Sequence, residues 1–163
     1  MTLDELFLTT LKDIYFAERQ LHKSLPKMAK AAQDPALKEA FTSHRVETQE
    51  QIERLQAVFE ILGKRAQGVT CEAIKGLIEE CEELLEDAPE PSAVRDAGLI
   101  ACGQAVEHYE IARYGALIAW AGAAGKQDVA ELLQATLDQE KKADILLSQL
   151  ATQSINAEAA KVT

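Results

Sequence analysis

The chain has 163 residues, 47% of them apolar, with 27 acidic against 17 basic side chains and a formal net charge of −10. That length and apolar content suffice for one globular domain with a sizeable core, and they exclude a disulfide miniprotein or a disordered tail. The charge argues against a nucleic-acid or anionic-membrane partner, each of which needs a basic face, and suits metal cations instead.

The opening segment carries Asp4 and Glu5 where a secretory signal would carry basic residues. No stretch approaches the roughly 20 apolar residues of a membrane span. The expectation is a soluble, cytoplasmic protein. Cys71, Cys81 and Cys102 are odd in number and widely spaced, with no C-x-x-C, so neither a disulfide framework nor a zinc or rubredoxin-type site is indicated. Reduced, mostly buried thiols are expected.

Taken in chain order, the apolar residues Leu3, Leu6, Phe7, Leu11, Ile14, Leu21, Leu25 and Met28 recur mostly every three or four positions, predicting a first helix over Leu3–Ala32 with a kink at Pro26. Asp34-Pro35 supplies an N-cap followed by a proline at the first helical position. The second helix then runs to about Leu62 with the stripe Leu37, Phe41, His44, Thr48, Gln51, Ile52, Leu55 and Val58, and Gly63 stops it. Thr70 is positioned to cap a smaller helix over Cys71–Glu86. Pro89 and Pro91 end that segment, and Ser92 can cap a third long helix over Ala93–Ala121. Gly122 to Gly125 break the chain before a fourth over Gln127–Gln153. Residues 1–153 thus read as one domain and residues 154–163 as a frayed tail.

This is an all-α pattern. Helices of this length span roughly 40 Å, which suits a bundle. Two antiparallel hairpins joined by a long connection that carries the short helix make a ferritin-like four-helix bundle. The halves also look doubled, since Glu18 and Glu47 are 29 positions apart and Glu107 and Glu140 are 33 apart.

Acids interrupt the interior stripes. Glu47 lies between His44 and Gln51 on one face, Glu140 and Asp144 break the fourth helix at its middle, and Glu107 and Glu110 stand in an otherwise nearly uncharged third helix. Glu18 does the same in the first. Each acid taken singly also fits a solvated face; their recurrence in all four helices points to a shared positive partner. Converging carboxylates cost several kcal/mol per ion unless offset, and two divalent metals bridged by Glu are one known solution, with iron or manganese preferred by oxygen ligands. His44, Gln51 and His108 are candidates either to ligate metal themselves or to hold its ligands from outside, while Tyr15, Tyr109 and Tyr114 read as packing residues able to hydrogen-bond a ligand.

The strings Ile-Tyr-Phe-Ala-Glu-Arg-Gln-Leu, Glu-Thr-Gln-Glu-Gln-Ile-Glu-Arg-Leu, Gln-Ala-Val-Glu-His-Tyr-Glu-Ile-Ala-Arg-Tyr-Gly and Leu-Asp-Gln-Glu-Lys-Lys-Ala-Asp, in this order, resemble the YciE/YciF family of ferritin-like bacterial stress proteins. The resemblance covers nearly the whole chain, including Ser-Leu-Pro-Lys-Met-Ala-Lys-Ala-Ala of the first helix. It implies a bundle with an added helix, usually dimeric, with two Fe or Mn ions per chain in a site similar to that of rubrerythrin. Glu18, Glu47, Glu107, Glu110, Glu140 and Asp144 match the metal-binding positions, and Gln51 falls where His or Gln is common. One departure is that no Glu-x-x-His occurs, since Glu47-x-x-Glu50 and Glu140-x-x-Ala143 stand in its place. The result would be an all-oxygen site that tunes iron differently from a histidine-bearing one.

The expected function is a di-metal carboxylate protein reacting with oxygen or peroxide, with Glu47 and Glu140 bridging and the other acids terminal. Without C-x-x-C, its electrons would come from an external donor. The alternative is a non-enzymatic stress protein in which metal only holds the bundle together. An iron-storage shell ranks below both. No G-x-S-x-G elbow or P-loop supports nucleophilic or nucleotide chemistry.

Overall fold

In the computed structural model, which describes residues 1–162, every regular element is helical. The first, α1 (Leu3–Ala31), begins with a capping box: the Glu5 N–H donates to Thr2 Oγ1 at 3.2 Å while the Thr2 N–H donates to Glu5 Oε2 at 2.7 Å. The helix continues through Pro26. A proline cannot donate to the carbonyl four residues back, and here Arg45 Nε of the next helix donates to that His22 carbonyl at 3.3 Å.

Helix α2 (Pro35–Ile61) starts where Asp34 accepts the N–H groups of Ala36 and Leu37 at 2.8 and 3.0 Å. It ends at Gly63, whose φ of 63° lies in the left-handed region that favours glycine. Helix α3 (Glu72–Asp87) is capped by Cys71 rather than by the expected Thr70, with Cys71 Sγ accepting the Ile74 N–H at 3.4 Å. Helix α4 (Ala93–Ala123) opens on Ser92 and runs two residues beyond its expected end, the turn being made at Gly125 with φ 70°.

Helix α5 (Gln127–Leu150) passes through a π turn at Ala151–Ile155 into α6 (Asn156–Ala159), so the chain stays helical where fraying was expected from Ser154 onward. The wider turn has a packing result. Ile155 is buried in the same apolar cluster as Leu25, Leu99 and Leu147.

Helix α1 packs on α2 and α4 on α5, while α2 lies beside α5 and α1 beside α4. Lys126 pairs with Asp4 at one end of the molecule and Arg95 donates to the Ala31 carbonyl at the other, so α1 and α4 are antiparallel. Gln51 to Gln139 and Arg54 to Thr136 contacts set α2 and α5 antiparallel as well. The connection from α2 to α4 must therefore travel the full bundle. It does so alongside α1: the Val69 N–H donates to the Lys12 carbonyl at 3.2 Å, and Lys27 pairs with Glu82 at 2.8 Å. Gly68 permits the approach, because a Cβ there would lie 3.0 Å from Phe16 Cβ.

The far end is clasped by two adjacent residues. Asp96 accepts the Gln33 and Asp34 N–H groups at 2.8 and 2.7 Å, and Arg95 reaches the carbonyls of Ala31, Ala88 and Pro89. The resulting fold is the ferritin-like four-helix bundle with one crossover helix. Its interior holds two apolar clusters, one around Leu11, Leu55, Tyr114 and Leu133 and one around Leu25, Phe41, Leu99 and Leu147.

Candidate metal centre

Buried polar residues lie within this interior: Glu18 from α1, His44, Thr48 and Gln51 from α2, Glu107 and Glu110 from α4, Thr136 and Glu140 from α5. Within each helix they follow one another at spacings of three or four, so each helix turns one polar patch inward. Ligand atoms of His44, Glu107, Glu110 and Glu140 all lie within 4.8 Å of one another. Glu18 adjoins them and accepts the Tyr114 hydroxyl.

His44 is a basic group placed among these acids. Its Nε2 is 3.1 Å from Glu107 Oε1 and 3.7 Å from Glu140 Oε2, and its Nδ1 faces Glu47 Oε2 at 3.4 Å. Most of the carboxylate oxygens have no hydrogen-bond partner among the described residues. Glu18 Oε2, Glu107 Oε2 and both oxygens of Glu110 and of Glu140 are buried without a hydrogen bond, as is Gln51 Oε1. Native interiors carry few such atoms, so this concentration is itself a signal.

Electrostatics follow from that geometry. Burial pushes the Glu18 carboxyl up to about 8, against the Tyr114 hydrogen bond that lowers it. Burial, with the charges of neighbouring carboxylates, holds Glu110 and Glu140 well above the usual range. Burial alone would lower His44, but the charge and hydrogen bond of Glu107, with Glu47 and Glu140, keep it well above its ordinary value. The neighbouring acids thus favour the protonated form of His44, as burial favours the neutral form of the carboxyls.

The structure brings Glu18, Glu107, Glu110 and Glu140 together, with Gln51 beside them. It places Glu47 differently. That side chain is 38% exposed and stands outside the four-residue cluster, at the wall of a cavity of about 120 Å³ that opens between α2 and α5 and reaches His44 and Glu107. Asp144 also stands off: it accepts from Gln104 Nε2 at 2.9 Å and pairs with the exposed His108 at 3.2 Å. His108 is accordingly a rim residue.

Two of the sequence alternatives take definite form here, those for His44 and Tyr114, and the role of Arg54 was not foreseen from sequence. His44 is inside the cluster rather than behind it, so the donor set is not all oxygen. Tyr114 binds Glu18 directly, four positions after Glu110 on the same face of α4. Arg54 donates to Gln139 Oε1 at 2.7 Å and to Thr136 Oγ1 at 3.3 Å, bracing α5 against α2 beside Gln51. The donor set, carboxylates with one imidazole and six unpartnered oxygens, fits a hard or borderline divalent cation such as iron or manganese.

Comparison with known proteins agrees with this architecture. Residues 2–160 match the family described as a domain of unknown function, DUF892. Protein YciF of Escherichia coli K12 is 43% identical over 159 residues, covering 97% of this chain and 95% of YciF. The chain belongs to the YciF family. Among solved structures, the E. coli stress protein YciF superposes with a TM-score of 0.90 at 44% identity, covering 95% of this chain and 98% of that one. YcfI from Rhodopseudomonas palustris gives 0.87 at 48% identity, covering 91% and 94%. A protein from Xanthomonas campestris pv. campestris gives 0.74 at 25% identity, covering 96% and 94%. Among the described residues no helix is long and apolar enough to cross a membrane.

Proposed function

We propose that this YciF-family chain is a di-metal carboxylate protein of the stress response that binds two iron or manganese ions. The observation that carries the reading is the set of six buried carboxylate oxygens with no hydrogen-bond partner among the described residues, gathered on Glu18, Glu107, Glu110 and Glu140. Those four acids and His44 would hold the metal, with Glu47 near enough to His44 to join from the cavity wall. Bound metal would supply redox-active Lewis-acid centres for reaction with oxygen or peroxide.

The protein's own contribution is positional. Tyr114 fixes one oxygen of Glu18 and leaves the other free. His44 would serve as a ligand beside Glu107 only as the neutral imidazole, since ligation requires that form. Phe41 and Leu147 give the cavity beside His44 an apolar wall suited to a small neutral molecule. The absence of C-x-x-C makes the electron donor an external one, and the reading includes a cytoplasmic homodimer, checked by size exclusion.

The test is metal stoichiometry by mass spectrometry on protein purified without a chelating tag, followed by Fe(II) addition in air and an optical spectrum. Two metals per chain and an oxo-bridged ferric band are expected. Failure to bind iron or manganese, with an intact helical fold, would overturn the reading. It would favour a non-enzymatic structural role, for which His44 already neutralises part of the cluster, and YcfI is described, provisionally, as a structural protein.

A further inference from the structure

Helices α3 and α4 run antiparallel in a register fixed at several points. Cys71 Sγ meets the Tyr109 hydroxyl at 3.0 Å, a Cβ on Gly98 would lie 2.7 Å from Leu84 Cδ2, and Arg95 donates to the Ala88 and Pro89 carbonyls at 3.4 and 2.8 Å. Between these points the register sets Cys81 opposite Cys102. Both side chains line one narrow cleft among α1, α3 and α4, and both pack in the same apolar cluster. Close helix approach at Gly98, one turn away, keeps them together.

We infer that Cys81 and Cys102 form a redox-active dithiol that a hydroperoxide converts to a disulfide joining α3 to α4. The two sulfurs differ in environment. Cys81 is buried on α3, whereas Cys102 is only half-buried, and the cleft has room of about 20 Å³, enough for one water-sized oxidant group. Lys27, paired with Glu82 at 2.8 Å, adds a positive charge beside the cleft. The thiols also polarise each other: the Cys81 side chain holds Cys102 below the ordinary range, while the same interaction, with burial, holds Cys81 above it. The accessibility of the two sulfurs sets their roles: Cys102, the more exposed, is the attacking thiol and the buried Cys81 the resolving one.

The chemistry balances without help from the carboxylate cluster. The Cys102 thiolate attacks the peroxide, the O–O bond breaks, and the departing oxygen leaves as hydroxide or alkoxide that takes a proton from solvent. Cys102 is then a sulfenic acid. The Cys81 sulfur, losing its proton, attacks the Cys102 sulfur; the S–O bond breaks and hydroxide leaves as water with that proton. Two thiols lose two electrons and the peroxide gains them. An external dithiol reverses the step by exchange.

Cys71 is the internal comparator, a thiol 1% exposed, committed to capping α3 and to the Tyr109 hydroxyl. The experiment adds hydrogen peroxide to the reduced full chain, quenches it with an alkylating agent at timed intervals, and maps the peptides without reduction, with and without a metal chelator. The expected result is an intrachain Cys81–Cys102 disulfide forming about tenfold faster than any modification of Cys71, at a rate the chelator does not change. With Cys81→Ser, Cys102 should accumulate as sulfenic and sulfinic acid; with Cys102→Ser, Cys81 should stay reduced. Oxidation of all three cysteines at equal rates, disulfides only between chains, or dependence on chelatable metal would each overturn the inference.

Discussion

The two hairpins of the bundle occupy equivalent places in the fold yet bring unlike chemistry to the interior. The α4–α5 hairpin contributes three acids to the cluster, Glu107, Glu110 and Glu140, together carrying five buried oxygens without a hydrogen bond. The α1–α2 hairpin contributes Glu18, already bound by Tyr114, and then His44, Thr48 and Gln51. A doubled fold thus carries most of its interior acids on one hairpin and its histidine, with most of its neutral donors, on the other. The lesson is that helix topology fixes where ligands can stand, while the residue at each inward position decides what they can hold.

Removing charge from the acidic half should produce the largest effect. Glu140→Ala is expected to weaken iron or manganese binding by more than about 100-fold, beyond the range seen for outer partners of a metal site. Glu47→Ala, at the exposed wall, should cost markedly less in the same titration by calorimetry. Equal losses would mean that Glu47 turns inward when metal binds, and the contrast between the hairpins would narrow.

His44→Ala tests the other half. It strands Glu107 Oε1 in the interior, and leaving a buried acceptor unsatisfied should cost about 2 kcal/mol in metal-free denaturant unfolding at neutral pH. An unchanged unfolding midpoint would show that the imidazolium does not offset the acids.

The pH dependence has a definite sign. Glu18 rises to about 8 in the fold, Glu110 and Glu140 move the same way, and His44 is raised too. Groups raised on folding bind more protons in the native state, so their stabilisation is full below about pH 4.5 and is lost as pH climbs toward about 8. Metal-free protein should therefore melt higher at about pH 5 than at about pH 8, and saturating metal should reverse the trend because metal competes with protons. As the smallest effect, Glu80→Ala on exposed α3 should change either measurement by less than about 0.5 kcal/mol.

Much of the fold was legible because the chain punctuates its helices with residues that have few other uses. Asp34-Pro35, Gly63, Ser92 and Gly125 mark starts and stops that the structure uses as such. The rotation of α2 was harder to read. Glu47 stands next in sequence to Thr48, about 100° around the helix, and a rotation of a fraction of a turn decides which of His44, Thr48, Gln51 or Glu47 faces inward. Asp144 has the right spacing from Glu140, but Gln104 and His108 on the neighbouring helix claim it, a tertiary contact that spacing cannot express. The π turn at Ala151–Ile155 likewise leaves no local signature, because the same residues suit an α-helix and only the burial of Ile155 rewards the wider turn.

The clasp at Arg95 and Asp96 bears on the order of assembly. These adjacent side chains tie the start of α4 to the end of α1 and the start of α2, about 60 positions away, so they can engage only after a long loop has closed. The hairpins, built from shorter-range contacts, nucleate without them. The clasp is a late fastening that sets how long the native state lasts more than how fast it is reached.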